Sequence, residues 1–358
     1  MFNKNKFNSK QIILFPLIAI FCAIIATLVG LEIMLRFLPV NEGLRFVALN
    51  DKQPVMHFEP NRTSTWSRGW NFSLVNKVHS NNYGFLNDRD YDSTGRSSLL
   101  AVIGDSFVEA AMVPYPKTLQ GRLAKFVNGF GRVYSFGISG AGLSDYLILA
   151  EYGNKTFKPG AIVFIIVSND FKESIQEVKG HYYFFVDPDT KELILKRVDY
   201  EIGFFRRIFR NSSLFMYLVT NVIFRHNYDS SIETIKDEKV VSDYKMAVDT
   251  FFDKLPKESG LDSSKILFVI DGIREIIYNP EKSSEAQGCL FDIMRKYFIN
   301  KATMLGYEII DLQNIFQEHY KVHKQRFEYP TDDHWNEIGH EIVADAIVKS
   351  GVFSKLFK

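Results

Sequence analysis

Two hydrophobic patterns divide the chain. From Gln11 to Leu31, "QIILFPLIAIFCAIIATLVGL", 21 residues carry no charge and are apolar all round. From residue 98 onward, short apolar runs alternate with stretches of helical spacing. The runs are Leu99–Ile103, Arg132–Phe136, Ala161–Val167, Ile266–Ile270 and Tyr307–Leu312, each bounded by polar residues or glycine, as strands buried on both faces are. The helical stretches are 116–128, 142–156, 240–255, 286–305 and 338–349. This alternation predicts an α/β architecture, a parallel sheet covered by helices on both faces. In such sheets ligands bind outside the carboxyl ends of the strands, where the strand order switches.

About 20 apolar residues cross a bilayer core, so the first pattern predicts a transmembrane helix. Lys4, Lys6 and Lys10 precede it and put the N-terminus on the cytoplasmic side. A cleaved signal peptide has a shorter apolar core followed by a small-x-small site. Here the core runs directly into "EIMLRFLPV". The expected organisation is a cytoplasmic N-terminus over 1–10, a transmembrane anchor over 11–38, a lead-in segment with one hairpin over 39–97, and the α/β domain over 98–358. In a bacterium the last two face the periplasm from the inner membrane. Residues 172–237 exceed an ordinary crossover and read as an insertion. "HYYFFVDPDTKELILKRV" predicts a hairpin turning at Pro188–Lys191, and "RRIFRNSSLFMYLVTNVIFRH" one amphipathic helix, expected to pack on the domain rather than to shape the substrate groove or touch a membrane.

Composition removes several function classes. Lys and Arg number 43 against 42 Asp and Glu, so no basic surplus points to nucleic acid. Cys22 and Cys289 are the only cysteines, and one lies in the anchor, which leaves no disulfide framework and no Cys-rich zinc site. No cofactor or metal is implied. His319 and His323 have the four-residue spacing of a helical metal pair but no third ligand, and read as a solvated face.

Four segments bring reactive side chains to the expected carboxyl edge. "VIGDSF" turns after the first strand and presents Ser106. "SFGISGAGLSD" follows the second strand, where Gly140 lets a backbone amide approach an oxyanion. "VSNDF" ends the third strand with Asn169, a neutral donor. "YPTDDHWNEIGH" places His334 in a loop before the last helix. Side chains two apart in extended chain point the same way, so Asp332, rather than Asp333, is placed to orient the imidazole, with Asp271 in reserve. Asp105 and Asp170 read as loop-shaping residues and His340 as a packing residue.

"GDSF", "SGAG", "SND" and "DDHWNEIGH" resemble, in order, the four blocks of the SGNH (GDSL-type) hydrolase superfamily, over residues 99–350. The resemblance implies a three-layer flavodoxin-like fold around a parallel five-stranded sheet. It implies Ser106 as nucleophile and His334 as base, and an oxyanion hole from the backbone at Ser106 and Gly140 with Asn169. The chain departs from the pattern twice: Val167 and Ser168 precede Asn169 without the family's glycine, and Thr331 stands three residues before His334 where many members have aspartate. Asp332-x-His334-Trp335 resembles a membrane-associated branch that includes alginate O-acetyltransferases. "NNYGFLNDRDYD" (81–92) looks like a segment that precedes the serine block in membrane-anchored members, and reads as a structural strap.

The first reading is therefore a membrane-anchored serine esterase acting on an acylated polysaccharide or lipid of the cell envelope. The second is an O-acyltransferase with the same triad, supplied by a multi-span acyl-donor partner. The third, prompted by the missing glycine and the long insertion, is a non-catalytic binding module on the same fold.

Overall fold

The computed structural model describes residues 9–190, 192–223, 238–279, 281 and 288–358. Eleven strands occur among them: β1 (Arg62–Arg68), β2 (Leu74–Ser80), β3 (Ser98–Gly104), β4 (Gly131–Gly137), β5 (Ala161–Ile166), β6 (Tyr182–Val186), β7 (Leu193–Arg197), β8 (Ile266–Ile270), β9 (Glu308–Asp311), β10 (Glu328–Tyr329) and β11 (Asp332–Trp335). The central sheet is β4-β3-β5-β8-β9, all parallel. In order of appearance this is 2-1-3-4-5, the flavodoxin-like order, whose switch point lies between β3 and β5.

The inner strands β3, β5 and β8 are apolar on both sides because each side faces helices. Ala101, Ile103, Phe136, Phe164 and Phe268 belong to one core, with the helices Leu143–Phe157, Glu238–Ser259 and Leu290–Met304. Leu100, Val102, Val163, Ile165 and Val269 belong to the other, with Leu119–Phe126, Leu312–His323 and Glu337–Val348. The period-two alternation of strand side chains splits every run between the two layers. The first core is aromatic: the Phe268 ring centroid lies 5.3 Å from Phe164, 5.4 Å from Phe252 and 5.1 Å from Phe298.

The segment 81–92 straps the edge strand β4. Edge strands expose unpaired backbone groups that invite pairing with other chains. The Tyr91 hydroxyl meets that need at Ser135, accepting from its N–H at 2.8 Å and donating to its carbonyl at 2.7 Å. Its ring stacks on Tyr134 with centroids 4.0 Å apart. Asn82 pins the strap itself, accepting from Tyr91 N at 2.8 Å and donating to Tyr91 O at 2.9 Å.

The chain forms two compact units. One holds the described parts of Leu44–Ser64, Asn76–Ile202 and His226–Lys358, including the central sheet; the other holds those of Met1–Gly43, Thr65–Val75 and Gly203–Arg225. In the second, Ile13–Leu35 is a continuous 23-residue apolar helix of mean hydropathy 2.7, exposed along most of its length, with Leu35 at its end buried. The insertion is divided between the units. Its first part is the expected hairpin, β6 paired antiparallel with β7; Lys191 lies outside the described residues. The single packing helix expected after it is not found. Two helices, Phe204–Phe209 and Ser213–Met216, are followed by a π-helical stretch, Tyr217–Ile223. The break falls at Arg210–Ser212, where Ser212 starts the second helix by accepting from Phe215 N at 3.1 Å. Neither helix buries a residue completely: the first is largely exposed and the second is partly covered. Residues 224–226 of the expected helix lie outside the described ones.

Candidate active site

Ser106 starts a four-residue helix, Ser106–Glu109, directly beyond β3. Asp105 caps it, its Oδ1 accepting from Phe107 N at 2.9 Å. The approach of β4 to this helix requires glycine: a Cβ on Gly137 would stand 2.2 Å from Glu109 N. Ser106 is half-buried, and its Oγ lies 2.8 Å from His334 Nε2. Asp105 Oδ2 is a second acceptor for the same hydroxyl, at 3.2 Å.

His334 stands on β11, not in a loop. Residues 332–335 pair antiparallel with Glu328–Tyr329, a ribbon the sequence reading missed because each strand is shorter than any pattern can register. Asp332 Oδ1 takes both His334 Nδ1, at 2.6 Å, and the His334 backbone N–H, at 3.1 Å. Asp333 Oδ1 is 3.6 Å from Nδ1. The imidazole is further held by the Phe107 ring, centroids 4.9 Å apart. Burial opposes the imidazolium, but the hydrogen bond and charge of Asp332, with Asp333 and Asp105, outweigh it and raise the His334 pKa above 6.5.

Asp271 stays apart from His334. It pairs with Arg274 at 2.7 Å and accepts from Trp335 Nε1 at 3.2 Å. It thereby ties the residue after His334 to the end of β8. His340 is buried and accepts from Leu119 N at 3.1 Å, and burial pushes its pKa down to about 3. His319 and His323 stack on one another, centroids 4.4 Å apart, at a partly exposed helix end.

On the oxyanion side, Gly140 adopts φ +81°, a conformation that favours glycine. Among the described residues, neither the Ser106 nor the Gly140 N–H has an intramolecular acceptor. Asn169 is deployed differently from the sequence reading: its Nδ2 donates to Asp105 Oδ2 at 3.1 Å and Glu173 Oε2 at 2.9 Å, so both amide hydrogens go to carboxylates. Asp170 accepts from Val167 N at 2.8 Å and Tyr146 Oη at 2.9 Å.

Three acidic features went unread in the sequence. Glu109 Oε2 accepts from Ser139 N at 2.8 Å and so fixes the loop before Gly140. Burial pushes its pKa up to about 7. Its signal was its spacing, three residues past Ser106 on one helix face. Glu173 is driven up to about 7 by burial, then by the charge of Asp105. His181 Nδ1 lies 3.1 Å from Asp145 Oδ2, and its Nε2 lies 3.3 Å from where a Gly140 Cβ would be. Burial disfavours its charge, but Asp145 prevails and the pKa rises. No sequence pattern links positions 145 and 181. Oxygens of Asp105, Asp170 and Glu173 lie within 4.8 Å of one another, close enough to share a cation. Amide and hydroxyl donors already hold these acids, so the cluster is explained without one.

The constellation can deprotonate a hydroxyl and stabilise the imidazolium that results. At the level of sequence, the chain matches no protein-family model and no curated protein. Distant structural matches exist to lipolytic hydrolases and esterases. An alpha/beta hydrolase enzyme from the metagenome of Lake Arreo, Spain, is 16% identical with a TM-score of 0.41, over 73% of this chain and 98% of that one. A member of the lipolytic G-D-S-L family from Veillonella parvula is 10% identical with a TM-score of 0.39, over 71% and 98%. An acetyl xylan esterase is 15% identical with a TM-score of 0.41, over 70% and 97%.

Proposed function

We propose that the chain is a serine acyl hydrolase working through an acyl-serine, with Ser106 as nucleophile, His334 as base and Asp332 as the group that orients it. The observation that carries this reading is the contact series Ser106 Oγ to His334 Nε2 at 2.8 Å and His334 Nδ1 to Asp332 Oδ1 at 2.6 Å. His334 Nε2 takes the serine proton as Oγ attacks the ester carbonyl. Asp332 holds the proton on Nδ1 and offsets the imidazolium charge. The tetrahedral oxyanion lies against the Ser106 and Gly140 N–H groups. Asn169 joins them only by giving up one of its two carboxylate partners. The protonated His334 then donates to the leaving alkoxide, and water, deprotonated by the same nitrogen, releases the acid and restores Ser106.

The Ile13–Leu35 helix supports an anchor that holds the site at the outer face of an inner membrane, and hence an ester of an envelope polysaccharide or lipid as substrate. If the acyl-serine is protected from water, the same residues pass the acyl group to a sugar hydroxyl, and a multi-span protein would supply the donor. The short Asp332-x-His334-Trp335 likeness favours this second outcome.

The test uses an aryl acetate and a fluorophosphonate. Ser106→Ala is expected to abolish both turnover and covalent labelling while thermal unfolding stays that of the wild type. Retained turnover would refute the assignment, and absence of any adduct on the wild-type Ser106 would favour the binding-module reading.

A further inference from the structure

The helix Phe204–Phe209 exposes the side chains a soluble surface avoids. Phe204 is 70% exposed, Phe205 72% and Ile208 51%. At about 100° per residue, Phe204, Phe205, Ile208 and Phe209 fall on one arc and Arg206, Arg207 and Arg210 on the opposite one. This segment is fixed to the apolar helix by one side chain. Glu32 accepts from Ser212 Oγ at 2.8 Å, from Leu214 N at 2.9 Å and from Ser213 N at 3.1 Å. Asn221, buried at the far end of the segment, is held as well. It accepts from Asn41 N at 3.2 Å and donates to Ser67 Oγ at 3.0 Å.

The position of Glu32 sets the depth. Nineteen steps separate it from Ile13, which at 1.5 Å each is about 28 Å, close to the roughly 30 Å thickness of a hydrocarbon core. A carboxylate at that height, held by donors from the 212–214 turn and by Arg36 Nε at 3.0 Å, stands where acyl chains give way to headgroups. Whatever Glu32 binds is held at the same height.

We infer that the segment Phe204–Ile223 is an interfacial collar. It seats its Phe and Ile face in the acyl-chain boundary of the leaflet from which the Ile13–Leu35 helix emerges, with its arginines among anionic headgroups. The inference rests on the anchor reading proposed above. The ligand class is a lipid surface.

The experiment is depth quenching of an environment-sensitive fluorophore on the full chain, in vesicles of phosphatidylethanolamine and phosphatidylglycerol. One probe sits on native Cys22, exposed within the apolar helix, in a Cys289→Ser background. The other sits at position 205 in Phe205→Cys with Cys22→Ala and Cys289→Ser. At position 205, a quencher carried near the lipid headgroup is expected to remove most of the emission. One near the chain end should remove less, and aqueous iodide little. The Cys22 probe is expected to respond to the deep quencher. If Cys22 escapes every lipid quencher, the anchor reading fails, and the collar with it. If Cys22 is quenched and position 205 answers only to iodide, the collar alone is overturned. Protection of position 205 from both iodide and lipid quenchers would assign the face to a protein partner and overturn it equally.

Discussion

At the level of single residues, what distinguishes His334 is that Asp332 receives its side chain and its backbone through one oxygen. This locks one tautomer and raises the pKa. The proposed mechanism needs His334 as a neutral base, so the acid limb of kcat/KM is expected above the ordinary histidine value of 6.5. Asp332→Asn should lower the rate roughly 10³- to 10⁴-fold by losing the tautomer, and should also shift the acid limb to lower pH. A merely structural Asp332 would lower the rate without moving that limb, so the pH profile is the measurement. Glu109 gives a second titration, this one read in stability rather than in rate. Its carboxyl ordinarily titrates at 4.5 and here at about 7, so between these values the folded chain keeps a proton the unfolded chain has lost. Its stabilisation is complete below pH 4.5 and disappears as pH rises through 7, by roughly 3 kcal/mol at most. Glu109→Gln keeps an oxygen for Ser139 N and removes the titration. Urea unfolding at pH 5 and pH 8 should show a flatter stability profile for the variant, with the slope left over belonging to groups such as Glu173.

Among the elements, the strap over β4 has the clearest physical task. Tyr91 satisfies both backbone groups of Ser135 with one hydroxyl, on an edge that would otherwise stay open. Tyr91→Phe keeps the stacked ring and loses that hydroxyl; it is expected to cost about 1–3 kcal/mol in unfolding free energy with kcat/KM unchanged. An equal loss of activity would tie the strap to the site. The sheet strands and most of their helices were legible because both patterns are local: a buried strand is a short apolar run, and a covering helix repeats every three to four residues. The β10–β11 ribbon was not, since strands of two and four residues hold no apolar period, and its backbone pairing joins Glu328 with Trp335 and Tyr329 with Asp332. The single helix read over 206–226 also failed. Its apolar spacing is real, but the first helix ends at Phe209 and Ser212 caps a second, and the apolar face of the first is turned outward.

For the whole molecule, the anchor reading predicts that intact mass of the mature protein retains its N-terminal segment and that alkaline carbonate leaves it in the membrane. Loss of residues before about 38 would mean a cleaved leader and overturn the anchor reading. Sequence alone determined the alternation that builds the sheet, the 21-residue uncharged stretch Gln11–Leu31 and the four segments carrying Ser106, Gly140, Asn169 and His334. Each is written in residues close together in the chain. Only the tertiary structure decided which groups meet. It put His334 against Ser106 across 228 positions. It sent Asn169 to Asp105 and Glu173, set His181 beside Gly140, and bound Glu32 to the 212–214 turn. Such contacts depend on strand order and on the direction of single side chains, and a linear pattern holds neither.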